Sequence, residues 1–101
     1  MPYENLFQPY TFNNGVTVKN RLVVAPLTHF ASDDDGHITD DERRFLTDRF
    51  HDFGLFISAA TLVHDGGKAF HGQPEAIGEE DLPSLREVAR IVQSQGAKAL
   101  L

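Results

Sequence analysis

Leu22-Val23-Val24-Ala25-Pro26-Leu27 is a nearly continuous apolar run rich in branched side chains. A strand with one wet face alternates apolar and polar residues, whereas an unbroken run fits a strand covered on both faces, as in a parallel sheet. Pro26 has no amide hydrogen to give to a ladder, so the strand, read over residues 22–27, should end about there.

Two further segments carry the same signal. Leu55-Phe56-Ile57-Ser58-Ala59-Ala60-Thr61-Leu62-Val63 reads as a second buried strand, whose small central residues let something flat approach the backbone, and residues 97–101 read as a third. Helices are expected between them. Thr39-Asp40-Asp41-Glu42 has capping-box spacing, with the Thr39 hydroxyl placed to accept from a free amide and Glu42 to reach back. Phe45, Leu46, Phe50 and Phe53 follow at helical spacing, and Gly54 suits the left-handed residue that ends a helix, so the first helix is expected over residues 40–53. The second is expected over residues 82–95, with Pro83 near its first turn, Leu82, Leu85, Val88, Ala89 and Val92 on one face, and Gly96 as its stop. Upstream, Tyr10 to Phe12 and Val16 to Val18 flank Asn13-Asn14-Gly15, and the Asn-Gly pair supplies the positive φ angles of a tight hairpin turn. Asp33, Asp34, Asp35 and Gly36 read as a solvated loop.

The order is thus hairpin, β, α, β, α, β, an α/β pattern that argues for a parallel sheet with right-handed crossovers. A doubly wound sheet and a (β/α)8 barrel share it, and the pattern alone leaves both open. A barrel closes with eight strands over about 250 residues, so three strands would be only its opening portion. The 101 residues are then one incomplete domain, with a hairpin segment at residues 1–20 and the first strands and helices at residues 21–101. Open sheet edges in such a piece invite self-association.

Composition narrows the partners. Fifteen acidic against nine basic residues give a formal charge of −6, which repels nucleic acid and anionic lipid. There is no cysteine, so disulfides and thiolate chemistry are excluded. No apolar run approaches the roughly 18 residues of a membrane span and no basic-then-apolar leader opens the chain, so a cytoplasmic location is expected. His29, His37, His51, His64 and His71 include no i, i+4 helical pair and no His-x-His, and no metal site is expected. Neither Gly-x-Gly-x-x-Gly nor a Gly-Lys-Ser or Gly-Lys-Thr phosphate loop is present. In both parallel-sheet architectures ligands bind at the C-terminal ends of the strands. That singles out Ala25-Pro26-Leu27-Thr28-His29-Phe30 and Ser58-Ala59-Ala60-Thr61.

Leu6-Phe7-Gln8-Pro9-Tyr10, followed by Lys19-Asn20-Arg21-Leu22-Val23-Val24-Ala25-Pro26-Leu27-Thr28, resembles the opening of Old Yellow Enzyme family proteins. The match continues through Gly54-Leu55-Phe56-Ile57-Ser58-Ala59-Ala60-Thr61 and Gly96-Ala97-Lys98-Ala99-Leu100-Leu101, and the acidic loop and Pro83-Ser84-Leu85 look most like the bacterial NADH-dependent flavin oxidoreductase branch. The resemblance implies the N-terminal portion of a (β/α)8 TIM barrel that binds FMN. It sets Pro26, Leu27 and Thr28 along the flavin ring, the Thr28 hydroxyl near the O4 and N5 edge, Ala60 with its backbone toward the pyrimidine portion, and Phe30 on the substrate side. The implied reaction passes hydride from NADH or NADPH by way of FMN to the β-carbon of an activated alkene in a small-molecule substrate. The family's glutamine after the third strand, paired histidine motif, arginine, tyrosine proton donor and phosphate loops are not among these residues. No catalytic residue is therefore expected within this chain, and the 101 residues alone should be inactive. The alternative is a non-catalytic module that self-associates or pairs with a complementary chain.

Overall fold

The computed structural model describes residues 2–101. A single 3₁₀ turn at Glu4–Phe7 leads into β1 (Tyr10–Thr11) and β2 (Thr17–Val18), which pair antiparallel with Tyr10 opposite Val18 and Thr11 opposite Thr17. The hairpin is the expected one, but its turn differs. The Phe12 amide donates to the Val16 carbonyl (2.8 Å), the Gly15 amide to the Phe12 carbonyl (2.9 Å), and Gly15 alone takes a positive φ, 89°. This is a three-residue loop closed by a left-handed glycine, not a turn with both Asn14 and Gly15 at positive φ. Asn14 works through its side chain instead, Oδ1 accepting from the Val16 amide at 3.0 Å.

β3 (Val23–Val24), β4 (Leu55–Ile57) and β5 (Lys98–Leu100) form a parallel sheet in the order β3-β4-β5. The register sets Val23, Leu55 and Lys98 in one row and Val24, Phe56 and Ala99 in the next. Each ladder is shorter than its apolar run. Pro26 ends the first, and beyond Ser58 the second leaves the sheet, Leu62 making only an isolated bridge to Glu75. Because strand side chains alternate between faces, the row of Phe56 meets the helices α1 (Asp40–Leu46) and α2 (Leu82–Gln93). There Ile38, Leu46, Phe50, Phe56, Val92 and Ala97 form the core, with Val24, Phe53, Val88, Ile91 and Ala99 packed on it. On the other face Val23 and Leu100 stay about half exposed.

α1 stops at Leu46, well short of residue 53, and Asp48 takes a left-handed φ of 56°. Phe50 and Phe53 therefore reach the core from a turn. The break is held by Gln95, which is buried. Its Oε1 accepts from the Phe50 amide (2.6 Å), and its Nε2 donates to the carbonyls of Leu46 (2.7 Å) and Ile91 (3.1 Å). Gly54 is not left-handed. Its role is close approach, since a Cβ there would overlap the Asn20 carbonyl oxygen. Asn20 in turn donates to the Asp52 carbonyl (2.8 Å) and accepts from the Leu22 amide (3.0 Å), fixing the entry to β3. α2 follows the expectation more closely, with Pro83 in its first turn and Gly96 at φ 92° after its end, although Leu82 is 40% exposed and Ile91 takes the place on the core. Arg43 of α1 clasps Glu87 of α2, which holds the Glu87 carboxyl below its ordinary range.

Asp33, Asp34 and Asp35 are exposed as expected, yet the loop is not loose. Asp33 Oδ1 accepts from the amides of Asp35 and His37, both at 2.9 Å. His37 Nε2 lies 2.9 Å from Oδ1 of the buried Asp81, whose Oδ2 accepts from the amides of Ile77 (2.9 Å) and Gly78 (3.2 Å). The bond to Asp81 raises His37 above the ordinary histidine value. Burial pushes Asp81 up, but the two amides and His37 outweigh it and hold the carboxyl below its usual range. A raised histidine stabilises fully below its unfolded value of 6.5 and loses that contribution as pH climbs through the folded value. A lowered carboxyl stabilises above its unfolded value of 3.8 and loses that contribution as pH falls through the folded value. The pair should thus support the fold most between those two values. His37→Gln is expected to lower the urea midpoint most at about pH 5 to 6 and clearly less at about pH 9, where the wild-type ring has lost its charge. A deficit that does not change with pH would show the ion pair to be irrelevant.

Candidate functional site

The ladder ends at Val24 and Ile57 direct two loops to the same end of the sheet, the end where parallel α/β folds bind ligands. Pro26, Leu27, Thr28 and Phe30 lie on the first loop and Ala60 on the second, all exposed, Leu27 at 67% and Phe30 at 80%. A cavity of about 370 Å³ opens there between the strand ends and the helices. Leu27, Thr28 and His29 line it from the first loop, Ser58, Ala59 and Thr61 from the second, and Phe45, Leu85 and Val88 from the helix side. Of the five residues to which the resemblance gave a place in the site, the structure brings Leu27 and Thr28 to the cavity, while Pro26, Phe30 and Ala60 are not among its lining.

The threonine hydroxyls separate sharply. Thr11 and Thr17 bond each other (2.8 Å), and Thr39, Thr47 and Thr61 donate to the carbonyls of Ala31 (2.6 Å), Arg43 (2.6 Å) and Ala59 (2.7 Å). Among the described threonines only Thr28 has a hydroxyl without a hydrogen bond, and it lines the cavity from an exposed position.

The loop that carries it is held by residues that sequence reasoning missed. Glu42 does not reach back to the Thr39 amide. Although Thr39 Oγ1 accepts from the Glu42 amide at 3.3 Å as expected, the buried carboxylate turns to the loop, where Ser32 Oγ donates to its Oε1 and His29 Nε2 stands 3.7 Å from its Oε2. The Ala31 amide donates to His29 Nδ1 (3.2 Å), and the Ser32 amide to the Gly72 carbonyl (3.0 Å). Gly72, at φ 80°, lies so close to the Phe30 carbonyl that a Cβ would overlap it. Thr39 and Glu42 carried a capping signal only. Nothing in the spacing of Ser32, Glu42 and Gly72 announced that they meet.

Among the described residues no group of three or more His, Cys, Asp or Glu could hold a metal ion, and no helix is long and apolar enough to cross a membrane. A second cavity, of about 470 Å³, is lined by Asp34, Asp35, Asp65 and Glu80, with Lys68 drawn to Glu75 at 3.7 Å. Its charge suits no anion.

Fold and site together define a parallel α/β protein with a cavity at its strand ends. Residues 5–101 match the model of the NADH:flavin oxidoreductase / NADH oxidase family, and the chain belongs to that family. It is 43% identical over 98% of its length to the probable NADH-dependent flavin oxidoreductase YqiG of Bacillus subtilis, of which it covers 27%. It is 33% identical over 97% of its length to the NADH:fumarate oxidoreductase of Klebsiella pneumoniae, covering 11% of that protein. The crystal structure of Old Yellow Enzyme from a Pichia species superposes on 94% of the chain with a TM-score of 0.82 and 25% identity, over 25% of the yeast protein. The chain thus spans about a quarter or less of the length of these relatives. Its three strands and two helices are the N-terminal part of a (β/α)8 barrel, which decides between the two architectures the sequence pattern left open.

The contact between Gly72 and Phe30 has a direct test. Gly72→Ala adds a left-handed alanine and a steric overlap, whereas Gly15→Ala, at φ 89° with nothing within 4 Å of the new Cβ, adds only the first. The backbone term is about 1–2 kcal/mol. Gly15→Ala should cost about that in urea unfolding, and Gly72→Ala should cost more and shift the amide resonances of Phe30 and Ser32. Equal costs would show that the loop moves aside freely.

Proposed function

We propose that these residues form the N-terminal part of an FMN-dependent NAD(P)H oxidoreductase of the ene-reductase type, with Pro26, Leu27, Thr28 and Ala60 along one side of the flavin ring and Phe30 on the substrate side. The observation that carries the reading is the unengaged Thr28 hydroxyl at the mouth of the strand-end cavity. It is a donor left over after the fold's own hydrogen bonds are made, at the end of the sheet where a cofactor would lie. The small residues Ser58, Ala59 and Ala60 fit the same group, since they leave room for a flat ring near the backbone. FMN, when bound, supplies a two-electron carrier between a nicotinamide and the substrate. Thr28 would donate to the ring edge, where negative charge gathers on reduction, and Phe30 would wall the substrate side without a proton of its own to give. A relative's name supports this substrate class: the Klebsiella protein is named for fumarate, an alkene conjugated to carboxylates.

In a protein that carries this sequence ahead of the remaining length of its relatives, Thr28→Val should lower the flavin midpoint potential. The loss of one hydrogen bond to a charged group is about 1.5–3 kcal/mol. For a two-electron couple this is tens of millivolts, at about 30 mV per 1.4 kcal/mol. An unchanged potential would remove Thr28 from the ring edge.

The 101 residues by themselves should hold a flavin weakly and without regard to its phosphate, because the barrel fold places its phosphate loops after strands seven and eight. Titrating FMN and riboflavin into the chain should shift the amides of Thr28 and Ala60 with comparable affinities. Adding NADPH and cyclohexenone without oxygen should give no reduction beyond that of free FMN, since the groups that would fix near-attack geometry lie outside these residues. Tight binding selective for FMN, or saturable alkene reduction, would overturn this division of the site.

A further inference from the structure

We propose that Glu42 is a positioning residue for the turn at residues 28–30, holding Thr28 and Phe30 in place through His29 and Ser32; what the turn is positioned for rests on the flavin reading above. Glu42 is 5% exposed in the first turn of α1. Burying a carboxylate is costly unless its oxygens are hydrogen-bonded, and an apolar side chain at such a helix position would stabilise the fold without that cost. The charge is spent entirely on the loop after β3. Ser32 Oγ donates to Oε1, and His29 Nε2 stands 3.7 Å from Oε2.

The other side of the ring favours the same orientation. His29 Nδ1 accepts from the Ala31 amide at 3.2 Å, a contact that in the neutral ring goes with the proton on Nε2, toward the carboxylate. Thr39 closes the circuit, its hydroxyl donating to the Ala31 carbonyl at 2.6 Å while accepting from the Glu42 amide at 3.3 Å. Along the loop, anchored and presented residues then separate. His29, Ala31 and Ser32 are tied to the helix, whereas Thr28 and Phe30 turn outward with nothing of the fold's own to bind.

The test reads the ring and the loop in the 101-residue chain, with flavin as a separate arm. In the wild type, nitrogen-15 spectra of the His29 imidazole should show one neutral tautomer, protonated on Nε2. Glu42→Ala should mix the tautomers and drop the order parameters of the amides of residues 28–32 from about 0.85 to below about 0.6, while the amides of Phe56 and Val92 stay protected from exchange. Glu42→Gln, which keeps one acceptor oxygen for Ser32 but sets an NH2 where the second oxygen stood, should restore the loop order and not the single tautomer. The flavin-induced shift at Thr28 should need roughly tenfold more FMN in Glu42→Ala than in the wild type, the effect of about one lost hydrogen bond. An unaltered tautomer and ordered loop in Glu42→Ala, or no restoration of the loop order by Glu42→Gln, would overturn the assignment. Should Glu42→Ala fail to fold, Ser32→Ala reads the same loop: lost order supports the proposal and unchanged order refutes it. If the tautomer and loop respond as expected while FMN shifts no amide even in the wild type, the assignment of Glu42 stands and the flavin reading falls.

Discussion

The fold turns on the placement of one ring. Phe50 is buried against Phe56 of the middle strand, with centroids 5.0 Å apart, and against Phe53 and Phe45 at 6.3 and 6.4 Å. To reach that position the chain must leave α1 at Leu46, which strands a carbonyl and an amide inside the protein. Gln95 satisfies both from the end of α2. Had α1 run on to residue 53, the ring of Phe50 would have been set by helical geometry and not by the sheet. The break therefore couples both helices to β4, and through the register of β4 to β3 and β5. Leaving such buried groups unpaired would cost about 1–3 kcal/mol each, a large share of a small domain's stability.

This also explains what could be read in the chain and what could not. The hairpin, the alternation of strands and helices, the Thr39 cap and the Gly96 stop are local, written in residue types a few positions apart, and they were legible. The end of α1 was not, because Phe45, Leu46, Phe50 and Phe53 satisfy a helical period whether or not the backbone stays helical, and the deciding contact comes from Gln95, some 45 residues away. Strand length misled for a similar reason. Leu62 is as buried as a ladder residue, yet it is covered by the returning chain at Pro74 to Ala76 and not by a neighbouring strand. An apolar run records burial and is silent about which partner provides it.

The site divides along the same line. The residues to which the family resemblance drew attention stand at the expected end of the sheet, and the feature that distinguishes Thr28, a hydroxyl with no internal partner, becomes visible only when every other threonine has been accounted for. The anchoring shell could not be read at all. Glu42 lay inside a capping motif that explained it adequately, and the motif was half right: Thr39 does cap α1, while the glutamate serves a different loop. A residue with a sufficient local explanation conceals a longer-range one.

The need for that anchoring follows from Pro26. A proline ends the β3 ladder by removing a donor, and among the described residues positions 27–30 take part in no backbone-to-backbone hydrogen bond. Four residues without a ladder would be free to move, and ordering each costs on the order of 1–2 kcal/mol in backbone entropy. Side chains and a neighbouring loop must supply the order that the sheet no longer does, and here they do so from α1 by way of Glu42 and Thr39, and from the loop after β4 by way of Gly72. The arrangement leaves the backbone polar groups of the turn uncommitted to the protein while its path is fixed. A segment that is rigid yet unsatisfied is what a flat polar ligand requires, because it can accept hydrogen bonds from that ligand or donate to it without first breaking its own.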